Sequence, residues 1–414
     1  MKKYCIFLGI ALTASFAACN KNATVADVSS GKSALVTLDI HRPPVTRATV
    51  TGTADENAIN TIDAFVFNAT GDLDAYSHFA GYDGSSQPTM ECTTGPDKEV
   101  YILINAEWPE SELEAGIATR TNLEDLVFTL ENNCRKAGNV PSSLDNFEMV
   151  GKAGATLVPG ANAVSVNVSR VVSRVKINKI TRQFASKSLN KDLKIKNIYM
   201  SNVAGSYGLG SDGEIGLCKN AGTDLWHNKY VYNASHTPKA HVDIELGMNS
   251  WLNKGLAADV TLAYEEDANH APAPVSNTSI AGVFYVMPNN VPFAATTGGD
   301  GEWSPRHTKL VIETEYQGKT YYYAIPIVEI MAPDGAAWSA YPILPPDDAN
   351  YAAQAAAYKG LRANRSFEIE ELVLTRLGST NPDEPVMAAD VTLTISVNDW
   401  ELVTMETEGG KYVI

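Results

Sequence analysis

Catalytic and metal chemistry need particular side chains at particular spacings, and this sequence does not supply them. Seven histidines are scattered along the chain. None forms a His-Glu-x-x-His pattern or shares a zinc-like spacing with carboxylates. His227, His236 and His241 lie together in a loop-rich region and read as exposed loop residues. There is no Gly-x-Ser-x-Gly elbow to raise a nucleophile and no glycine-rich phosphate loop between a strand and a helix. The Gly-Asp-Leu-Asp-Ala-Tyr segment at residues 71–76 has too few spaced oxygen ligands for a calcium loop. Glu368, Glu370 and Glu371 fall on alternate faces of a strand and read as a solvated edge. Tyr321, Tyr322 and Tyr323 could form a sugar platform with the tryptophans, but aromatic strand residues are more often core and cross-strand pairs. No enzyme, cofactor or metal site is expected. The one bond set up for reaction is a peptide bond. Arg42 precedes Pro43, which trypsin-like proteases reject; Arg47 precedes Ala48, which they accept.

The element that positions this bond is the strand before it. In Ser33–Ala48, the side chains of Ala34, Val36, Leu38 and Ile40 fall on one face, with Leu35 the apolar exception on the other. That period of two marks a half-buried strand. Pro43 and Pro44 have no N–H to donate and end the ladder. A buriable strand is thus followed by a polar linker and one presented cut site. Two readings fit these residues: a removable strand, or an ordinary first strand with an ordinary loop.

The N-terminus carries a second reactive position. Lys2 and Lys3 precede a short apolar run, Tyr4 to Ala14, too short to span a bilayer. Phe16-Ala17-Ala18-Cys19 closes it and is similar to a bacterial lipobox, with Phe16 in the place of the usual leucine. Cleavage before Cys19 would leave a diacylated or triacylated cysteine as an anchor, and two or more acyl chains hold stably. The alternative is a plain secretory signal. Residues 1–18 hold two lysines and no acid, so a form starting at Cys19 carries −18 where the whole chain carries −16.

That acidity argues against nucleic acid, which needs a basic footprint, and against anionic lipid surfaces. At 414 residues, with 44% hydrophobic and 19% charged side chains, the chain is globular and long enough for two domains. Beyond Cys5 and Cys19, only Cys92, Cys134 and Cys218 remain, widely spaced. They make no disulfide framework; they are three buried thiols, or one bridge and a thiol.

Strand and turn signals then dominate. Ile59–Phe67, Leu73–Phe79, Glu99–Ala106, Phe147–Lys152 and Ala163–Val168 read as strands, with turns at residues 68–72 and at Pro159-Gly160. Thr121 and Glu124 offer a capping box for one short helix whose apolar face is Leu123, Leu126, Val127 and Leu130. A second unit starts near Ser169, with strands at Val171–Ile180, Leu193–Val203, Ala240–Leu246, Val260–Tyr264, Gly282–Met287, Arg365–Arg376 and Asp390–Val397. Lys309–Tyr316 and Lys319–Val328 form a hairpin around Gln317-Gly318, and a helix near Tyr351–Tyr358 would be short. Strands do not alternate with helices, so the class is mostly β, as two β-sandwich domains with one short helix in the first. The expected division is a signal at 1–18, a propeptide at 19–47, sandwiches at 48–168 and 169–399, and an extension at 400–414. Asn398-Asp399-Trp400 reads as a corner. After it come strand-like Leu402–Met405, a Gly409-Gly410 joint and apolar Tyr412-Val413-Ile414, a tail in need of a partner.

Taken in order, the Cys19 motif, the strand before Arg47-Ala48, INTIDAFVF at 59–67, GVFYVMPNN at 282–290, NRSFEIE at 364–370, NPDEP at 381–385 and VTLTISVNDWELV at 391–403 resemble the fimbrillin family, the stalk subunits of Bacteroides-type (type V) pili. The resemblance implies two transthyretin-like β-sandwich domains. It also implies a lipoprotein precursor at the outer membrane, lipidated at Cys19 and cut after Arg47 by an arginine-specific, gingipain-like protease. The strand carrying Ala34, Val36, Leu38 and Ile40 would leave. A neighbour's C-terminal strand would fill the groove by strand addition, with Leu402, Val403, Met405, Tyr412, Val413 and Ile414 as candidate donor residues. The partners so implied are other copies of the chain, anchor and tip subunits, and the protease. The competing readings are a tip or accessory adhesin of the same pilus and a surface glycan-binding lipoprotein.

Overall fold

A computed structural model describes residues 32–41, 49–51, 55–82, 86–106, 108–129, 147–201, 203–204, 206–209, 225–226, 231–232, 253–254, 256, 258–278, 280, 282–289, 308–330, 349, 351–382, 391–401, 406–408 and 411–413. The chain is mostly β, as its patterning predicts.

The first sheet contains β1 (Ser33–His41), β3 (Thr61–Phe67), β4 (Leu73–Ala80), β5 (Thr89–Thr93), β6 (Gly95–Ile104), β8 (Met149–Leu157) and β9 (Gly160–Arg170); β2 (Thr49–Thr51) and β7 (Val127–Thr129) pair elsewhere. Its order is β4-β3-β6-β8-β9-β1-β5. β8 and β9 pair only at Met149–Gly151 with Val168–Arg170, so the sheet folds over at that corner into a sandwich. One layer is β4-β3-β6-β8 and the other β9-β1-β5. Between them lie Ala34, Val36 and Leu38 of β1, Met90 and Cys92 of β5, and Val164, Val166 and Val168 of β9. These face Ile62, Ala64 and Val66 of β3 and Val100, Ile102 and Ile104 of β6.

β3 and β6 are apolar without alternation because both faces are covered. The side chains of Phe65, Phe67, Tyr101 and Leu103 point the other way, into a second core with Leu113, Ile117, Leu123, Phe128 and Phe147. Two short helices supply part of that cover, α1 (Glu110–Gly116) and α2 (Arg120–Glu124).

Here the sequence reading needs correction. Among the described residues the domain has two short helices, and the second is capped by Thr119, not Thr121. The Thr119 hydroxyl accepts from the Asn122 N–H at 3.3 Å while Asn122 Oδ1 accepts from the Thr119 N–H at 3.1 Å. Glu124 is drawn inward instead, accepting a hydrogen bond from the Tyr101 hydroxyl at 2.7 Å. The helix stops at once because Val127-Phe128-Thr129 is β-forming and pairs with Ser206–Gly208; Leu130 lies outside the described residues.

The second sandwich follows the same logic. One sheet joins β10 (Ser173–Ile177), β11 (Ile180–Arg182), β14 (Val275–Asn277), β15 (Gly282–Val286), β18 (Arg365–Leu374) and β19 (Val391–Glu401). The other joins β12 (Leu193–Ser201), β13 (Val260–Leu262), β16 (Lys309–Tyr316) and β17 (Lys319–Pro326). The β16–β17 hairpin turns at Gln317 and Gly318, both at positive φ of 51° and 75°, the backbone of a two-residue primed turn. Tyr323 is buried with its hydroxyl donating to Arg376 O at 2.6 Å. α3 (Tyr351–Ala357) is the short helix expected there.

Two further expectations change. Asn398-Asp399-Trp400 is not a corner: β19 runs through it, pairing Asn398 with Ser366 and Asp399 with Arg365. On its other side, β2 pairs in parallel with Asp399–Glu401, and ladder partners on both edges outweigh the weak strand preference of Asn and Asp. Nor is β18 an edge. It pairs with β10 and β11 on one side and β19 on the other. Glu368 bonds Arg174 at 3.1 Å and Glu371 bonds Lys179 at 3.0 Å; Glu370 alone of the three is exposed. The Ala240–Leu246 strand and the three loop histidines lie outside the described residues.

The fold-over corner gives a test. A Cβ on Gly151 would sit 2.4 Å from Asn167 O and 2.8 Å from Val168 Cγ1. Gly151→Ala is expected to lower stability by about 1–3 kcal/mol through overpacking, measured as a shift in the urea midpoint at unchanged slope.

Candidate functional site

The strand that sequence analysis singled out is the middle strand of a three-stranded layer. β1 runs parallel to β9 from Ala34 opposite Gly160 to His41 opposite Asn167. On its other edge it runs antiparallel to β5, from Ser33 opposite Thr93 to Thr37 opposite Thr89. The amide of Leu38 also donates to Pro88 O at 2.9 Å, and that of Thr94 to Lys32 O at 2.9 Å. β5 has no other ladder partner among the described residues.

The inward face is as patterned. Ala34, Val36 and Leu38 are fully buried, Ile40 is half-buried, and Leu35 is 42% exposed. The outer face carries Asp39, which accepts from Gln87 Nε2 at 3.2 Å and Ser165 Oγ at 3.4 Å. Opposite Ala34 stands Cys92, a free and buried thiol. Burial pushes its pKa up, Asp74 adds to this, and Lys98 pulls it back down.

The chain after the linker is fixed by contrast. β2 pairs with the end of β19. At Asp55–Asn57, Glu56 is buried, held by Arg174 Nη1 at 3.1–3.2 Å and by the Tyr285 hydroxyl at 2.6 Å. Arg170 Nε donates to Glu56 O at 3.0 Å, and Arg170 Nη2 reaches Asn57 Oδ1. Burial lowers the pKa of Arg170, opposed by the charge of Glu56. Asn105 adds bonds to Ala58 O at 2.8 Å and from Asn60 N at 2.8 Å. Residues 55–61 are thus pinned to the body through buried polar groups, while β1 is held by ladder and apolar contact.

Of the other expected positions, Cys19, Arg47, Ala48, Leu402, Val403, Met405 and Ile414 lie outside the described residues, as do Cys134 and Cys218. Tyr412 and Val413 belong to a strand, β21 (Lys411–Val413), that pairs antiparallel with β20 (Glu406–Glu408). Sequence reading missed the polar groups at the top of the slot, Asn68, Asp74, Thr93 and Lys98. The signal available was a lysine two residues before the apolar run of β6. Asp63, Tyr76 and His78 were also missed; Asp63 accepts from the Tyr76 hydroxyl and contacts His78 Nδ1, both at 2.7 Å, and His78 lies directly opposite it across the β3–β4 ladder. Among the described residues, no His, Cys, Asp and Glu group is arranged to hold a metal, and no helix is long and apolar enough to cross a membrane.

The fold defines a class: paired β-sandwiches whose first strand is the central strand of its layer. Residues 36–213 match the family described as major fimbrial subunit protein (FimA), a match that begins within β1. Among curated proteins none matches the sequence. Among solved structures, a Bacteroides eggerthii protein proposed to act in cell adhesion shares the fold, with a TM-score of 0.54 and 16% identity over 91% of this chain and 98% of that one. A Parabacteroides distasonis protein of the same description matches with a TM-score of 0.51 and 15% identity over 91% and 99%.

The two faces of β1 should separate in stability measurements. Leu38→Ala is expected to destabilise the uncut protein by about 2–5 kcal/mol. Leu35→Ala should stay within roughly 0.5 kcal/mol, both read from urea unfolding.

Proposed function

We propose that this protein is a stalk subunit of a cell-surface pilus, made as a lipoprotein acylated at Cys19. An arginine-specific protease cuts it after Arg47, and subunits assemble head-to-tail when a neighbour's C-terminal strand takes the place of β1. The observation that carries this reading is the position of β1. Among the described residues it is the middle strand of its layer and the sole ladder partner of β5, and the chain from Asp55 onward is pinned independently.

The energetics fit an exchange. Burying Val36 and Leu38 is worth about 1.5–3 kcal/mol each, so an empty slot gives up roughly 3–6 kcal/mol, a large share of a domain's 5–15 kcal/mol or so. It also strands the backbone groups of β5 and β9 that faced β1. An incoming strand restores both terms, with main-chain bonds for affinity and alternate side chains for specificity. Because donor and acceptor surfaces differ, the contact is heterologous and propagates as a filament.

The donor reading favours residues 402–414, with Leu402, Val403, Met405, Tyr412, Val413 and Ile414 in the donor strand and Val403, Met405, Tyr412 and Ile414 as its inward anchors. β20 and β21 pair with each other in the isolated subunit, so donation requires that hairpin to open. A donor tail belongs to a stalk subunit more than to a tip. The lipid anchor holds the precursor at the outer membrane until the cut releases it.

Cys92 supplies the assay. In protein spanning residues 20–414 with Cys134 and Cys218 replaced by serine, Cys92 should resist maleimide until trypsin cuts after Arg47. It should then label in the cut monomer and be masked again in heat-sensitive multimers on an unboiled gel. Arg47→Ala should leave a folded monomer that stays unlabelled and does not polymerise. Multimers formed by Arg47→Ala, or labelling of Cys92 that ignores cleavage, would overturn the proposal.

A further inference from the structure

With β1 gone, β5 would lose every ladder bond it makes among the described residues, yet an acceptor slot needs two standing walls. The second set of contacts to β5 comes from a polar cluster at its C-terminal end, in which the buried side chains of Asp74 and Lys98 meet the exposed Thr93. The Thr93 amide donates to Asp74 Oδ2 at 2.9 Å, and the Thr93 hydroxyl donates to Asp74 Oδ1 at 2.7 Å. Lys98 Nζ bonds Asp74 Oδ2 at 2.8 Å and Thr93 Oγ1 at 3.0 Å, and also reaches Asn68 Oδ1. The side chains of Lys98 and Asp74 are only 3% and 6% exposed.

Two ladder irregularities aim these groups at one point. The β3–β4 register shifts between Val66 and Phe67, which leaves Asp74 as the extra residue between Leu73 and Ala75. The β6–β8 register shifts between Gly95 and Lys98, where Asp97 adopts a positive φ of 51°. Bulges re-aim side chains in this way. Beyond the second, the ladder is regular, and period-two alternation puts Lys98 on the inward side of Val100 and Ile102, at the edge of the core under β1.

We infer that Lys98, Asp74 and Thr93 are positioning residues that tie β5 to β4 and β6 independently of β1, so that the acceptor slot stays open and in register after cleavage. A buried lysine placed only for stability would be well served by the Lys98–Asp74 pair alone. The extra bonds from Asp74 to both the backbone and the hydroxyl of Thr93 act on β5 alone. Cluster and removable strand share one end: Thr93 lies opposite Ser33, and Cys92 opposite Ala34. The inference rests on the strand-exchange reading above.

The test uses the subunit cut after Arg47 and a fluorescent peptide of residues Ser33–His41, in wild type, Thr93→Val and Lys98→Met. Charge-assisted hydrogen bonds of this kind are worth roughly a ten- to hundredfold change in an equilibrium constant. Each variant should therefore bind the peptide about tenfold or more weakly. In the uncut protein, where β1 holds β5, Thr93→Val should keep Cys92 masked from maleimide. Thr93→Val keeps the Lys98–Asp74 pair and so guards against a variant that does not fold. Peptide affinity equal to wild type in both variants, with β1 demonstrably released, overturns the inference alone. An intact-mass measurement showing that the β1 fragment never leaves the cut protein overturns the exchange reading and this inference together.

Discussion

The structure turns on one burial. Three side chains of β1, Ala34, Val36 and Leu38, close the core of the first sandwich from the middle of a layer that has only two other strands. Each neighbour uses β1 differently. β9 is also joined to β8 through the Met149–Gly151 corner, whereas β5 depends on β1 for all its ladder bonds among the described residues. A strand so placed supplies apolar burial and satisfies two sheet edges at once, and no rearrangement of two strands can replace it. The physical requirement is for some strand with the same alternation, and nothing in the slot requires that strand to belong to the same chain.

The connection to the rest of the molecule follows from where the chain is fixed. Buried arginines from β9 and β10 grip Glu56 and Asn57, and Asn105 grips residues 58–60. Loss of everything before Asp55 would leave these bonds intact. β2 adds a further tie, since it pairs with Asp399–Glu401 just before the tail. β2 and the end of β19 are therefore neighbours on one sheet.

Much of this was legible in the sequence, and the failures have physical causes. Period-two alternation disclosed both faces of β1, because a strand with one wet face must alternate. Apolar runs disclosed β3 and β6 as strands. The primed turn at Gln317-Gly318 was local chemistry and was read correctly. What failed depended on partners distant in sequence. Glu124 looked like a capping residue, but its carboxylate is claimed by Tyr101. Asn398-Asp399-Trp400 looked like a corner until strands on both sides kept it straight. Glu368 and Glu371 looked solvated, but Arg174 on β10 and Lys179 in the link between β10 and β11 hold them. The cluster around Lys98 showed in the sequence only as a lysine two residues before an apolar run, because its partners Asn68, Asp74 and Thr93 come from separate segments that the fold brings together.

The central claim is that β1 leaves and a strand from another copy fills its place. The most direct measurement is amide hydrogen exchange on residues 89–93 and 160–167 in three states: uncut protein, protein freshly cut after Arg47, and the assembled multimer. The account predicts slow exchange, then fast, then slow again in both segments, with protection returning only as multimers form. Protection that cleavage does not alter, or that never returns in the multimer, would contradict it.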